Sequence, residues 1–333
     1  MSSSNTSSVD IVNEIRRQLV VFVRCWSAIL FTLGLVGHIL NIYVFTRPIL
    51  YSNSCGRYFF ASTITGLLVV IEYLLIRALQ LGYSIDLMST SIVVCKILAF
   101  SFIPIRTLPS WFIALACLDR YLCSSTSTNL RQWCNTRNAT RIIWIVVLFM
   151  GVINSHMFGF YTIIQAEQIC DATPTSYVLF YGIWNLIIWT VIPIPCMIIF
   201  TLLTVRNIHR AKNRIGTDDT QNDRQHIQWK KERQLIRMTI GQAFLLGLPS
   251  AVNSITHLYI APAGIIMANN DIEEATITNA YHIIGFVSLF GPSMSFYLFT
   301  LSSKLFRKQL ILLFRCGLPE QTQSQLNRSI QNQ

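Results

Sequence analysis

The stretch Cys25–Thr46, CWSAILFTLGLVGHILNIYVFT, lies between Arg24 and Arg47 and contains no Asp, Glu, Lys or Arg. A helix of about 20 such residues crosses the roughly 30 Å hydrocarbon core of a bilayer. The whole chain agrees, since 52% of its 333 residues are hydrophobic and 12% are charged, about half the charged fraction of a soluble domain. We therefore predict that this stretch belongs to the first span of a polytopic membrane protein.

Six further windows of comparable length follow, and the sequence predicts an all-α membrane protein, a seven-transmembrane helix bundle at residues 22–303. An extracellular tail (1–21) precedes the bundle, and a short amphipathic cytoplasmic helix (304–316) and a disordered cytoplasmic tail (317–333) follow it. The predicted spans are residues 22–46, 58–80, 91–123, 142–160, 177–205, 238–262 and 277–301.

The distribution of basic residues predicts the topology. Of the 26 Lys and Arg residues, 20 lie at the inner end of span three (Arg120) or in the segments that follow spans one, three, five and seven, whereas the opposite loops carry acidic residues. By the positive-inside rule the N-terminus is extracellular, which makes Asn5 of Asn-Thr-Ser a glycosylation acceptor. The net charge of +11 then reflects attraction to the inner leaflet of the lipid bilayer, and no nucleic-acid partner is expected.

The inner end of the third span carries Asp119-Arg120-Tyr121. Charges at this depth are costly and persist mainly where they pair or function. One interpretation is an interfacial pair with a snorkelling arginine; the other is a functional switch. Cys95 lies 25 residues before Arg120, at the opposite, extracellular end of the same helix.

The combination resembles the third helix of rhodopsin-like G-protein-coupled receptors. The resemblance implies a receptor at the plasma membrane with a heterotrimeric G protein as partner, in which Asp119 holds Arg120 until activation and Tyr121 completes the switch. It also implies a disulfide between Cys95 and Cys170, which both lie on the predicted oxidising side. Two free cysteines are the alternative.

The resemblance extends in altered form to spans six and seven. Pro249 occupies the position of a hinge proline, although an inert bend is the alternative. Registering span seven on Phe306 and Arg307 places Ser295 and Phe299 on the switch positions that usually hold asparagine and tyrosine. Cys316, after the predicted amphipathic helix, is a candidate palmitoylation site.

Spans one and two depart from the family pattern. His38 replaces an asparagine, and Gly66 replaces the aspartate of the family's sodium pocket, so we expect no sodium modulation. The segments GLVGHILNIYVF (34–45) and LACLDRY (115–121) most resemble invertebrate FMRFamide-type neuropeptide receptors. That resemblance and the acidic outer loops favour an extracellular peptide ligand, basic or amidated.

Charged residues in the outer half of the bundle are candidate ligand contacts. Arg106 lies 11 residues after Cys95, about 16 Å along helix three, and Glu72 lies inside span two. An isolated charge here needs a partner or a water-filled cavity. We predict that both face the ligand pocket, paired or bridged by water, with Arg106 able to receive a ligand carboxylate; a structural ion pair is the alternative. Phe102, also assigned to the pocket, replaces the aspartate of aminergic receptors, which argues against a monoamine.

Other functions are less consistent with the sequence. No paired aspartates or His-Glu-x-x-His segment occurs in the spans, so an intramembrane enzyme is not expected, and neither a cofactor nor a metal is predicted. A secondary transporter remains an alternative because Glu72, Arg106, Pro104 and Pro109 interrupt the spans. So does an atypical, weakly coupled receptor, because the motifs of spans two, six and seven are altered.

Overall fold

The protein is an all-α, multi-pass membrane protein, described here from a computed structural model. The structure describes residues 2–164, 168–213, 236, 238–256, 258, 271–302, 306–307 and 310–311. Within these ranges, six helices are long and apolar enough to cross a bilayer. They are Val9–Phe45, Ser54–Tyr83, Ile92–Ser124, Thr136–Phe160, Ser176–Arg210 and Ile272–Leu301.

Several of these spans are built from consecutive helical segments. Helices α1 to α7 are Ser2–Phe45, Pro48–Tyr51, Ser54–Leu68, Leu75–Tyr83, Ile92–Ser124, Thr128–Trp133 and Thr136–Asn154. A π-helical segment, Val69–Leu74, lies between α3 and α4, and a 3₁₀ turn, Met88–Thr90, precedes α5. Helices α8 to α10 are Met157–Phe160, Thr175–Leu186 and Pro193–Asn213, with a second π-helical segment Ile187–Val191 between α9 and α10. Residues 238–256 are helical and are called α11; α12 is Asp271–Ser288 and α13 is Phe290–Ser302.

The surface of the fourth apolar helix, α7, is consistent with a lipid environment. Trp144, Ile145, Leu148 and Val152 are 62–71% exposed and share one face, because residues three or four apart lie above one another on a helix. A contiguous apolar stripe of this kind is rare on a soluble monomer. The stripe therefore faces the hydrocarbon of the bilayer.

Helix α5 is the central element of the bundle. It packs most extensively against α10 and α3, while α1 packs against α12 and α13. At one end of the bundle, Phe45, Phe59, Phe299 and Phe306 form a buried aromatic cluster with ring centroids 5.1–6.0 Å apart. Aromatic burial and edge contacts of this kind are among the strongest packing terms in a core.

The helices differ in extent from the predicted spans. Helix α1 begins at Ser2, so the segment that we assigned to an N-terminal tail continues the first helix. Of the predicted sixth span, residues 238–256 and 258 are helical, and residues 257 and 259–262 lie outside the described residues. Residues 306–307 and 310–311 of the predicted amphipathic segment are helical. Its other residues, with Cys316 and the tail 317–333, lie outside the described ranges.

A β-hairpin before the fifth apolar helix was not predicted. Strands β1 (Tyr161–Ile164) and β2 (Ile169–Ala172) pair antiparallel, with Ile163 opposite Cys170. Each strand has four residues, too few for alternation of polar and apolar residues to be read from the sequence.

Candidate functional site

The guanidinium of Arg106 lies in an aromatic cage inside the bundle. Arg106 is 7% exposed, its Cζ lies 4.5 Å from the ring centre of Tyr73 and 4.1 Å from that of Trp189, and its Nη1 donates a hydrogen bond of 3.0 Å to the Tyr73 hydroxyl. Cation–π contacts stabilise a desolvated cation by about 2 kcal/mol or more, which offsets part of its burial cost. This explains how an arginine is accommodated at this depth.

Both rings of the cage come from π-helical segments. Tyr73 lies in Val69–Leu74 and Trp189 in Ile187–Val191. An extra residue in a helical turn rotates the following side chains, and such bulges occur frequently at functional sites. The adjacent Trp111 indole, on α5, donates to the Ile188 carbonyl at 2.9 Å. Sequence reasoning missed Tyr73 and Trp189 because a π-bulge leaves no recognisable residue pattern.

Among the described residues Arg106 and Glu72 form no direct ion pair, and the water-bridged arrangement stays a prediction. Glu72 accepts a hydrogen bond from the Ser101 hydroxyl, and the ion pairs among the described residues are Arg17–Glu14 and Arg120–Asp119. Tyr73, the next residue in the same π-helical segment, is the side chain that contacts Arg106. Nε and Nη2 of Arg106 have no hydrogen-bond partner among the residues that the structure describes.

Two cavities lie near Arg106. The deeper one, of about 20 Å³, is lined by Arg106, Arg77 and His282, among others, and has room for about one water molecule. The outer one, of about 620 Å³, lies between α1 and α12 and is lined by Arg16, Glu274 and, again, His282. Its volume is typical of small-ligand sites, and His282 lies between it and the arginine.

Phe102 has a supporting position. Its ring packs edge-on against Tyr73 at 4.9 Å, and the side chain is 8% exposed. Neither cavity includes Phe102 in its lining. Phe102 thus packs against one ring of the cage, and its role as a ligand contact stays a prediction.

Cys95, in the first turn of α5, is joined by a disulfide to Cys170 of β2, with a Cα–Cα distance of 5.6 Å. This is the pair that the family resemblance implies. The backbone N–H of Cys170 also donates to the Ser89 hydroxyl at 3.1 Å. The hairpin is thus held against the start of α5, at the same end of the bundle as Arg106.

At the opposite end of α5, Asp119 and Arg120 form a small polar network. The Arg120 Nη2 lies 3.8 Å from the Asp119 Oδ2 and donates to the Asn53 Oδ1 at 2.7 Å. Asp119, 5% exposed, accepts a hydrogen bond of 2.8 Å from the Ser54 hydroxyl. Ser54 and Asn53 precede them by more than 60 residues, and sequence reasoning missed both. Tyr121 lies outside this network and packs against Phe200, with centroids 5.9 Å apart.

Two cysteines complete the surroundings of Asp119. Cys123, one turn along α5, is joined by a disulfide to Cys134, which follows α6. The Cys123 Sγ lies 3.8 Å from Asp119 Oδ2, and the Cys134 Sγ lies 3.5 Å from the Ser54 hydroxyl. The donor atoms of Asp119, Cys123 and Cys134 lie within 4.8 Å of one another, so with both thiols reduced they could hold a metal ion. This pair was not predicted from the sequence.

Pro249 lies inside α11 opposite Gly291 of α13. A proline removes the hydrogen bond to the carbonyl four residues earlier, here that of Leu245. A Cβ added to Gly291 would lie 2.3 Å from that carbonyl oxygen, so the two backbones are in direct contact there. The turn of α11 that precedes Pro249 is thus packed directly against α13.

The two positions predicted as switches in span seven have different surroundings. The backbone carbonyl of Ser295 accepts a hydrogen bond of 3.2 Å from Gln242 of α11. Phe299 is 1% exposed and lies in the aromatic cluster, with no polar atom that could exchange partners. Helices α11 and α13 are therefore connected at Ser295, whereas Phe299 is held by packing.

His38 and Gly66 are complementary in shape. A Cβ at Gly66 would lie 2.5 Å from Cε1 and 3.0 Å from Nε2 of His38, and His38 is 2% exposed. The imidazole thus occupies the space beside position 66. The two departures from the family pattern are in contact.

The remaining predicted sites are at the ends of the chain. Asn5 lies in the first turns of α1, and Cys316 lies outside the described residues. A comparison with protein-family models finds no match to this chain, and a comparison with curated proteins finds no significant relative.

Proposed function

We propose that this protein is a rhodopsin-like G-protein-coupled receptor of the plasma membrane, with seven spans, an extracellular N-terminus and a heterotrimeric G protein as its partner. The observation that carries the proposal is the arrangement along α5. A disulfide to a hairpin lies at one end of this helix and a buried Asp119–Arg120 pair at the other, which are the outer anchor and the inner switch that a receptor requires.

The ligand in this proposal is an extracellular peptide. The outer cavity of about 620 Å³ offers a vestibule, and the unpartnered Nε and Nη2 of Arg106 supply two donors for a ligand carboxylate below it. A bidentate arginine–carboxylate contact is among the stronger polar interactions. Since the deep cavity has room for about one water molecule, ligand entry requires the side chains around Arg106 to move apart.

The inner network defines the resting state in this proposal. Ser54 and Arg120 both hold Asp119, and Arg120 is also held by Asn53. Activation requires Arg120 to leave these partners and meet the G protein. An atypical, weakly coupled receptor remains a second candidate, favoured by the apolar packing of Phe299.

The test is a screen of synthetic peptides, amidated and with free carboxyl termini, on cells that express the full chain with calcium and cyclic-AMP reporters. We expect a saturable response that Arg120→Ala abolishes while surface expression and peptide binding persist. A response unchanged by Arg120→Ala would contradict the proposed switch. Peptide uptake without any G-protein signal would instead favour a transporter.

A further inference from the structure

The two disulfides of α5 lie on opposite sides of the membrane. Cys95 and Cys123 are 28 positions apart in one continuous helix, Ile92–Ser124, which corresponds to about 42 Å of helix axis. The hydrocarbon core is roughly 30 Å thick. Whatever the orientation of the chain, one disulfide therefore faces the oxidising compartment and the other faces the cytosol, where glutathione keeps most thiols reduced.

The basic residues identify the cytosolic pair. Arg131, Arg137 and Arg141 follow α5 on the side of Cys134, together with most of the 26 Lys and Arg residues of the chain, so this side is cytoplasmic by the positive-inside rule. Cys95–Cys170 is then the stable extracellular bond. Cys123–Cys134 is the bond whose existence depends on the redox state of the cell.

We propose that Cys123 and Cys134 form a reversible thiol–disulfide site that controls the Asp119–Arg120 switch from the cytosol. The effect on signalling rests on the proposed function, whereas the redox chemistry of the two cysteines rests only on the side of the membrane where they lie. The Cα atoms are 5.5 Å apart, within the usual range for a disulfide, and both cysteines are partly exposed. A small oxidant can therefore reach the pair, and no change of backbone fold is needed for the bond to form or break.

The oxidant is a peroxide and the reductant is a thiol such as glutathione. One cysteine thiol loses its proton, the thiolate attacks a peroxide oxygen, and the O–O bond breaks to give a sulfenic acid and a hydroxide, which takes up the released proton to form water. The second thiol attacks that sulfur, the S–O bond breaks, and a second water leaves with the thiol proton. Two thiols and one hydrogen peroxide thus give one disulfide and two waters. Two glutathione molecules then reduce this disulfide by thiol–disulfide exchange, which restores both thiols and gives one glutathione disulfide.

The bond acts on the switch through direct contact. The Cys123 sulfur lies 3.8 Å from Asp119 Oδ2, and the Cys134 sulfur lies 3.5 Å from the Ser54 hydroxyl that donates to the same carboxylate. When oxidised, the bond fixes α6 to the end of α5 around this network. Arg120 is then retained in its resting position, and the reduced form is the one competent to activate a G protein.

The first experiment measures the bond in the full-length protein in cell membranes. Free thiols are alkylated with N-ethylmaleimide, disulfides are then reduced and labelled with a heavier maleimide, and the peptides are quantified by mass spectrometry. We expect Cys123 and Cys134 to be mainly thiols in untreated cells and mainly disulfide after brief peroxide treatment, while Cys95 and Cys170 stay bonded throughout. If Cys123–Cys134 is as fully bonded as Cys95–Cys170 before treatment, or fails to form with peroxide, the proposal is wrong.

The second experiment measures ligand-free nucleotide exchange on added G proteins by the reduced and the peroxide-treated receptor. Oxidation should lower the exchange rate at least threefold, and glutathione should restore it. Cys134→Ser and Cys123→Ser, tested independently, should make the rate insensitive to peroxide, whereas Cys25→Ser, which alters an exposed free cysteine in α1, should leave the effect intact. Exchange that responds equally in wild type and both variants would overturn the regulatory role. If the labelling behaves as expected but neither form activates any G protein, the redox site stands and the proposed receptor function fails.

Discussion

Arg106 is a buried cation stabilised by two aromatic rings and one hydroxyl, and within the described part of the chain no carboxylate pairs with it. The sequence left open a structural ion pair as the alternative. In such a pair, mutation of the arginine would leave the buried acid without a partner and lower the stability of the protein by several kcal/mol. In an aromatic cage, mutation of the arginine leaves two rings without the cation and no orphaned charge, so the stability of the protein falls less. The two interpretations therefore predict different stabilities for the same substitution.

We expect Arg106→Met to abolish the ligand response, which means that the potency of the ligand falls at least 100-fold. The thermal midpoint of the purified protein should fall by no more than a few degrees. Tyr73→Phe removes only the hydroxyl contact and should shift potency less than tenfold. Dose–response curves and thermal denaturation in detergent measure both effects. A large loss of stability in Arg106→Met with normal signalling in the surviving fraction would instead indicate a structural arginine.

His38 and Gly66 lead to a second prediction at the residue scale. The wild type should show no sodium-dependent shift in ligand affinity, because no carboxylate stands at position 66 and the imidazole occupies its space. Gly66→Asp alone should be poorly expressed, since its side chain overlaps His38 and buries a charge. The double variant His38→Asn, Gly66→Asp should recover expression and gain a sodium shift of several-fold. A sodium effect in the wild type would contradict this account.

At the scale of elements, the sequence predicted well what depends on hydropathy alone. The apolar run that ends near Phe45 and the window around Arg106 are helices, as predicted, because a helix satisfies its backbone hydrogen bonds within a single apolar segment of this length. The partners of Arg106 were missed because two π-bulges determine which side chains face it. The Ser54–Asp119 contact was missed because it joins residues 65 positions apart, a separation over which hydropathy carries no information.

The contact of Gly291 with α11 gives a prediction about two elements together. Gly291→Ala should force α13 away from the Leu245 carbonyl, since the added Cβ would lie 2.3 Å from that oxygen. Overpacking of this kind costs about 1–3 kcal/mol, so the thermal midpoint should fall clearly. Gly159→Ala is the matched control, because nothing lies within 4 Å of its added Cβ. Equal midpoints for the two variants would show that α11 and α13 are not in contact at this point.

For the whole molecule, the number of spans determines where the chain termini lie. The described residues contain six candidate spans, and the helical residues 238–256 become the seventh span in the proposed function. An odd number places the two termini on opposite sides of the membrane, whereas six spans would place them on the same side. The position of the termini therefore tests the count without any assumption about ligand or partner.

We expect an epitope tag before Met1 to be stained by antibody on intact cells, and a tag after Gln333 to be stained only after permeabilisation. The reason is that 20 of the 26 basic residues lie on the side of the membrane where the C-terminus is predicted. A third tag, between Thr217 and Asp218 in the segment that joins α10 to α11, should behave like the C-terminal one. Glycosidase treatment should increase the mobility of the wild type but not of Asn5→Gln if Asn5 is modified. Staining of both terminal tags on intact cells would mean an even number of spans, and 238–256 would then have to lie outside the hydrocarbon core. Staining of the C-terminal tag alone would reverse the orientation, so that Cys95–Cys170 becomes the cytosolic disulfide and Cys123–Cys134 the permanent one.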